Sequence, residues 1–223
     1  MSLLERAGAE ALGTAFLLAA VVGSGIMGER LADGNVALAL LANSIATGGA
    51  LAALILTFGS TSGAHFNPVV TLAFAADGKL DWRDVPLYWL AQFGGGIAGV
   101  MAAQLMFAEP LVEFSQKARA EPALIGSEFI ATFGLLMVIR GAARSGIGAV
   151  AAAVACYITA AYWFTASTSF ANPAVTLART LSDSFAGIRP QDAPAFIGMQ
   201  FLACAALISL QRFSRHASGG QFP

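Results

Sequence analysis

Apolar positions in this chain neither alternate nor return every three or four residues; they run on for long stretches. Segments free of Asp, Glu, Lys and Arg cover 11–28, 34–76, 85–108, 145–178 and 193–211. A sixth stretch, 121–139, is apolar except for Glu128 and the flanking Glu121. A helix that is hydrophobic all round belongs in a lipid environment or a large core, and about 20 residues suffice for one membrane crossing. Four of the six stretches read as single spans on that basis.

The remaining two are 43 and 34 residues long, at 34–76 and 145–178. Each is long for one span and short for two joined by a turn. Each also contains one copy of nearly the same heptad, Asn67-Pro68-Val69-Val70-Thr71-Leu72-Ala73 and Asn172-Pro173-Ala174-Val175-Thr176-Leu177-Ala178, 105 residues apart. Asn is a favoured helix N-cap and Pro a favoured first-turn residue, so each copy is a helix start. A single Asn-Pro would read as an ordinary capped helix. Two copies in equivalent places within apolar runs predict a full span followed by a half-helix that enters the bilayer and returns to the same face. Irregular backbone at that depth is tolerated only where it is buried in protein or lines a wet cavity.

Other marks repeat in the same order. Glu10, Gly13 and Thr14 in the first span correspond to Glu128, Ala131 and Thr132 in the fourth, and Gln92-Phe93 in the third to Gln200-Phe201 in the sixth. Three spans per half is an odd number, so the second half crosses in the opposite sense. The expected fold is an all-α membrane protein with six transmembrane helices and two re-entrant half-helices, at about 67–77 and 172–182, in an inverted repeat. It forms one domain over 1–223, with repeats at about 1–115 and 121–215. Arg6, Lys79, Arg83, Arg140, Arg144, Arg212 and Arg215 fall on one face, against Arg30, Lys117, Arg119, Arg179 and Arg189 on the other. That excess places both termini in the cytoplasm. The first apolar run is longer than a signal-peptide core and lacks a clear cleavage site, so it is kept as a span. Gly95 and Gly99 form a GxxxG, which together with Gly23, Gly25, Gly48 and Gly49 predicts close helix packing.

Composition agrees with this picture: of 223 residues, 57% are hydrophobic and 11% charged, with a mean hydropathy of +0.70. A net charge of −1 gives no support for nucleic-acid binding or polybasic membrane attachment. Cys156 and Cys204 have no CxxC spacing and read as buried thiols, not as a disulfide or a metal site. No cofactor is implied, and no nucleophile–base pairing suggests an enzyme.

The duplicated motif carries the chemistry. Helix N-termini present unpaired N–H groups and a partial positive charge of about half a unit. Two such ends aimed at one midplane point disfavour cations, hydronium included, while a neutral polar solute accepts hydrogen bonds there. The Asn67 and Asn172 amides add donors at the same place. A water oxygen accepting from both turns its hydrogens along the pore and interrupts a proton wire.

The run from Ser62 through Gly63, Ala64, His65, Phe66, Asn67 and Pro68 to Thr71, the second Asn172-Pro173-Ala174, the paired Glu10 and Glu128 and the length together resemble the aquaporin (major intrinsic protein) family. The likeness covers essentially the whole chain. It implies a homotetramer in a lipid bilayer, each subunit with its own pore for small neutral solutes and a selectivity filter beyond the Asn-Pro pair. By spacing from the two asparagines, the family's filter positions fall at Thr47, Ala160 (or, with a one-residue shift, Ala161), Ser169 and Val175. The family usually places arginine where Val175 stands, and valine supplies neither its charge nor its fork of donors. Thr47 stands where an aromatic is common, and Ala160 where His or Gly is common, so the expected filter is wide, uncharged and moderately apolar. Thr176 replaces the Asp of the common glycerol facilitators. Valine at this position resembles a bacterial branch associated with arsenical resistance, in the bacterial inner membrane. The permeants implied are arsenite and related, including methylated, arsenicals with glycerol-type polyols and water. The alternatives are a general water, glycerol and urea pore or, in another class, an ion-coupled carrier.

Further residues have two readings each. Glu10 and Glu128 are either a proton relay or acceptors for the backbone of the Asn-Pro loops. His65 is a pH gate or a structural residue near the cytoplasmic vestibule, and a lone histidine is a poor metal site. Arg179, four residues after Val175, adds positive potential to the outer mouth or pairs with Asp183 at a helix end. Gln92 and Gln200 read as hydrogen-bonders between helices, and His216 falls in a short Ser/Gly tail expected to be disordered.

Overall fold

The computed structural model describes residues 1–217. Eight α-helices follow in order: α1 (Leu3–Leu31), α2 (Val36–Ser62), α3 (Pro68–Ala76), α4 (Val85–Met106), α5 (Pro122–Ala142), α6 (Ile147–Phe164), α7 (Pro173–Ala178) and α8 (Ala193–Ala217). Six are long and apolar enough to cross a membrane, and α3 and α7 are not. α1 starts ahead of its uncharged core because Ser2 and Glu5 form a reciprocal capping box, which supplies the first turn with acceptors. α2 stops at Gly63, whose φ of 91° is the left-handed C-cap conformation that glycine tolerates best. α7 is continued by a 3-10 turn over Arg179–Leu181. α8 runs on through His216 to Ala217, and the rest of the expected tail lies outside the described residues.

The bundle is apolar on its outside. Phe16, Leu90, Ile130 and Leu202 are all more than half exposed, the reverse of a soluble bundle and a surface suited to lipid. Cys204 is buried as expected, whereas Cys156 is exposed, because it lies on the outer face of the alanine-rich α6.

Inside, small residues let backbones touch. A Cβ at Gly95 would stand 2.2 Å from the Ala11 carbonyl oxygen, and one at Gly99 would stand 2.1 Å from that of Ala15. The GxxxG of α4 therefore packs within the chain, against α1. On the face that holds the termini, Arg6 pairs with Asp84 at 2.7 Å, and Arg140 makes a bidentate pair with Asp77, tying the end of α5 to the C-cap of α3. On the opposite face, the loop after α4 lies along the segment after α7. Glu113 N donates to Leu181 O at 3.1 Å, Ser115 N to Thr180 O at 3.0 Å, and Arg189 N to Lys117 O at 3.0 Å.

Candidate pore and its constrictions

The two half-helices meet head to head. Asn67 and Asn172 are extended N-caps with φ of −154° and −159°; Asn67 Oδ1 accepts from Val69 N, and Asn172 Oδ1 from Ala174 N and Val175 N. Their amide nitrogens cross over: Asn67 Nδ2 donates to Ala171 O at 2.8 Å and Asn172 Nδ2 to Phe66 O at 2.7 Å. An amide nitrogen carries two hydrogens, so each asparagine keeps one donor beyond this bond, and both residues line the central cavity.

The loops feeding these caps are built to one plan. Ala64 and Phe66 have φ of 50° and 49°, and Ser169 and Ala171, each 105 residues later, have 52° and 49°. Non-glycine residues in the left-handed region cost about 1–3 kcal/mol each and persist only where the surroundings enforce them. Here the enforcement comes from the buried acids. Glu10 accepts from Ser62 Oγ at 2.6 Å, His65 N at 2.9 Å, Phe66 N at 2.6 Å and Gln92 Nε2 at 2.8 Å. Glu128 accepts from Phe170 N at 2.9 Å, Ala171 N at 2.8 Å and Gln200 Nε2 at 2.7 Å. The two glutamines also reach Thr71 and Thr176, whose hydroxyls donate to the Asn67 and Asn172 carbonyls. Neither acid lines the cavity; each is engaged by a loop. His65 does line it, with Nδ1 at 3.1 Å from Thr71 Oγ1 and its ring 4.4 Å from that of Phe74.

A single cavity of about 260 Å³ passes from Ala143, Gly146 and Ile147 on the terminal face, past Asn67 and Asn172, to Thr47, Tyr162, Ser169, Val175 and Arg179 on the other. Helical spacing explains its walls. Thr47, Leu51 and Ile55 on α2, and Val150, Val154, Ile158 and Tyr162 on α6, recur every fourth residue and so share one face. Thr47, Ser169 and Val175 thus stand at the cavity. Ala160 does not: two positions from both Ile158 and Tyr162, it is turned roughly 200° away and is exposed on the outside of α6. Ala161 is buried but off the cavity wall. The residue that α6 contributes at the outer end is Tyr162, whose hydroxyl lies 3.1 Å from Thr47 Oγ1. The larger side chains at every fourth position of an alanine-rich helix were the available sign of it.

Of the two readings of Arg179, positive potential at the outer mouth or a pairing with Asp183, its position at the cavity matches the first. Arg179 is 2% exposed, lines the cavity, donates from Nε to Ala186 O, and stacks with its guanidinium 3.4 Å from the Phe170 ring centroid. Asp183 is not its partner; that carboxylate accepts from Gln116 N at 2.9 Å. A second arginine that the sequence did not single out, Arg119, lies 4.9 Å from the Phe170 centroid and donates to Gly187 O at 3.0 Å and Ser167 O at 3.1 Å.

Comparison with known proteins agrees with this geometry. The family model described as major intrinsic protein matches residues 1–146. Aquaglyceroporin AqpS of Rhizobium meliloti (strain 1021) is 51% identical over 211 residues, covering 95% of this chain and 90% of that protein. Aquaporin NIP1-3 of Oryza sativa subsp. japonica is 36% identical over 137 residues, covering 60% of this chain and 47% of that one. The X-ray structure of the aquaglyceroporin from Plasmodium falciparum matches with a TM-score of 0.71 over 95% of each chain at 20% identity, which shows a shared fold. Six apolar spans, two opposed half-helices and these matches lead to one conclusion: this multi-pass membrane protein belongs to the major intrinsic protein family, the aquaporins.

Proposed function

We propose that the chain is a passive channel for small uncharged solutes, which passes arsenite and related arsenicals, methylated ones included, together with glycerol-type polyols and water. The observation that supports this most is the single cavity running from one face to the other past Asn67, Asn172 and Val175. At its midpoint the free N–H of each asparagine and the two half-helix N-termini offer donors and positive potential. A neutral hydroxylated solute accepts these bonds. A cation meets like charge and, between apolar walls such as Leu17, Val21 and Val154, finds nothing to replace its water. Arsenous acid is an uncharged trihydroxy species at neutral pH, so this barrier does not oppose it.

At the outer end Val175 leaves open the side where the family's arginine would project. Arg179, one turn further on, keeps positive charge beside the path without occupying that position. Tyr162 and Thr47 together offer hydroxyls there, which favours a second reading, a general water, glycerol and urea pore. The positive excess of the terminal face supports cytoplasmic termini, and family likeness supports a homotetramer in the bacterial inner membrane. Flux into proteoliposomes tests the channel reading. Uptake of glycerol and arsenite should follow the solute gradient alone; saturable uptake driven by an imposed proton or sodium gradient would establish a carrier instead. Glycerol and urea flux with arsenite excluded would select the general pore.

A further inference from the structure

The side chains of Arg119 and Arg179 are both buried, and among the described residues neither guanidinium is bonded to a carboxylate; both donate to backbone carbonyls. Among the described residues the ion pairs are Arg6–Asp84, Arg30–Glu109, Arg140–Asp77 and Arg189–Asp192. Of the acids nearby, Glu128 is taken up by Phe170 N, Ala171 N and Gln200, and Asp192 accepts from the Arg119 backbone N at 2.7 Å and pairs with Arg189. An uncompensated buried cation is strongly unfavourable, and stacking of both guanidiniums on Phe170 offsets only part of that. Arg179 uses only Nε on a protein acceptor, which leaves its terminal N–H groups available at a cavity wall. In the same wall, Ser169 Oγ is buried without any hydrogen-bond partner, and the Tyr162 hydroxyl is bonded only to Thr47. A neutral solute needs donors but not a full positive charge. An oxyanion needs both, and two of its oxygens match the planar fork of a guanidinium.

We propose that the outer mouth holds a binding site for a small monovalent oxyanion, with Arg179 taking two oxygens and the Ser169 and Tyr162 hydroxyls the remainder. The bound anion stands beside Val175 and slows neutral solutes. It does not cross, because further in only the Asn67 and Asn172 amides and the His65 ring stand among apolar walls to replace its water. The site itself follows from the arginine geometry; only its effect on flux rests on the channel reading above.

Methanesulfonate is a suitable probe, being charged at all accessible pH values and so without a neutral form that leaks through lipid. Purified full-length protein in detergent should gain thermal stability saturably with methanesulfonate beyond the effect of equal chloride. In proteoliposomes, external methanesulfonate should slow glycerol uptake saturably. Arg179→Gln should raise the half-inhibiting concentration about tenfold or more, the loss of one charge-assisted fork. Ser169→Ala, which keeps the arginine and serves if Arg179→Gln does not fold, should raise it by a smaller factor. Equal effects of methanesulfonate and chloride, or inhibition unchanged in both variants, would overturn the site. A saturable thermal response without any glycerol, arsenite or water flux would leave the site standing and overturn the channel reading; normal glycerol flux with no response in either assay would do the reverse.

Discussion

Asn67 and Asn172 each donate one hydrogen bond across the junction of the half-helices, to Ala171 O and Phe66 O respectively, so each cap holds the loop that positions the other. The duplicated motif is a mutual clamp as well as a pair of helix starts.

This clamp predicts coupling. Asn67→Ala and Asn172→Ala each remove a cap and a buried cross-bond and should destabilise by about 2 kcal/mol. The double variant should fall short of the sum by about 0.5–3 kcal/mol, because either single change already releases the opposite loop. Unfolding of purified protein measures the cycle; strict additivity would mean that the two bonds are independent.

The acids should behave as braces. Glu10→Gln places an amide donor among four donors and Glu128→Gln among three. Each should cost about 2 kcal/mol or more, Glu10→Gln the greater. A proton relay would show the opposite pattern, with stability kept and a proton-coupled flux lost.

Contact between α1 and α4 is set by missing side chains. Gly99→Ala drives a methyl group to 2.1 Å from Ala15 O and should destabilise by about 1–3 kcal/mol through forced separation of the helices. Gly94→Ala, where a Cβ meets nothing within 4 Å, should be close to neutral in the same melting experiment.

Lys117, in the loop after α4, should give a pH signature. Burial, then the nearby Arg119 and Arg179, push its ammonium from the ordinary 10.5 down to about 8. Between about 8 and 10.5 the unfolded chain therefore holds the proton that the folded chain has released, so this residue's contribution to stability rises with pH across that window. Lys117→Met should lack this rise when melting temperatures are compared on either side of pH 8, and an identical pH dependence in the two proteins would contradict the assignment.

What could be read from the chain and what could not divide along physical lines. Asn67-Pro68 and Asn172-Pro173 declare helix starts locally, by capping chemistry, and the lengths of the apolar runs force the half-helices, so both lie where the sequence places them. Glu10 and Glu128 were visible because an acid in a span is rare. Tyr162 was not, because counting back from Asn172 fixes a distance along the chain and not the rotation of α6, and a two-residue error turns a side chain from pore to exterior. Arg179 was noticed, but its burial depends on the Phe170 ring and the Ala186 carbonyl, which only the folded loops bring together. Arg119 gave no sequence signal, since a loop arginine is ordinarily solvated.

On the proposed reading, Val175 opens the outer constriction and so sets which neutral solutes pass. Flux of water, glycerol and arsenite into proteoliposomes, compared between the native chain and Val175→Arg at matched protein density, tests it most directly. Arginine should cut glycerol and arsenite flux by about tenfold or more while reducing water flux far less. Equal reductions for all three solutes would contradict the claim and move the size cutoff elsewhere in the pore.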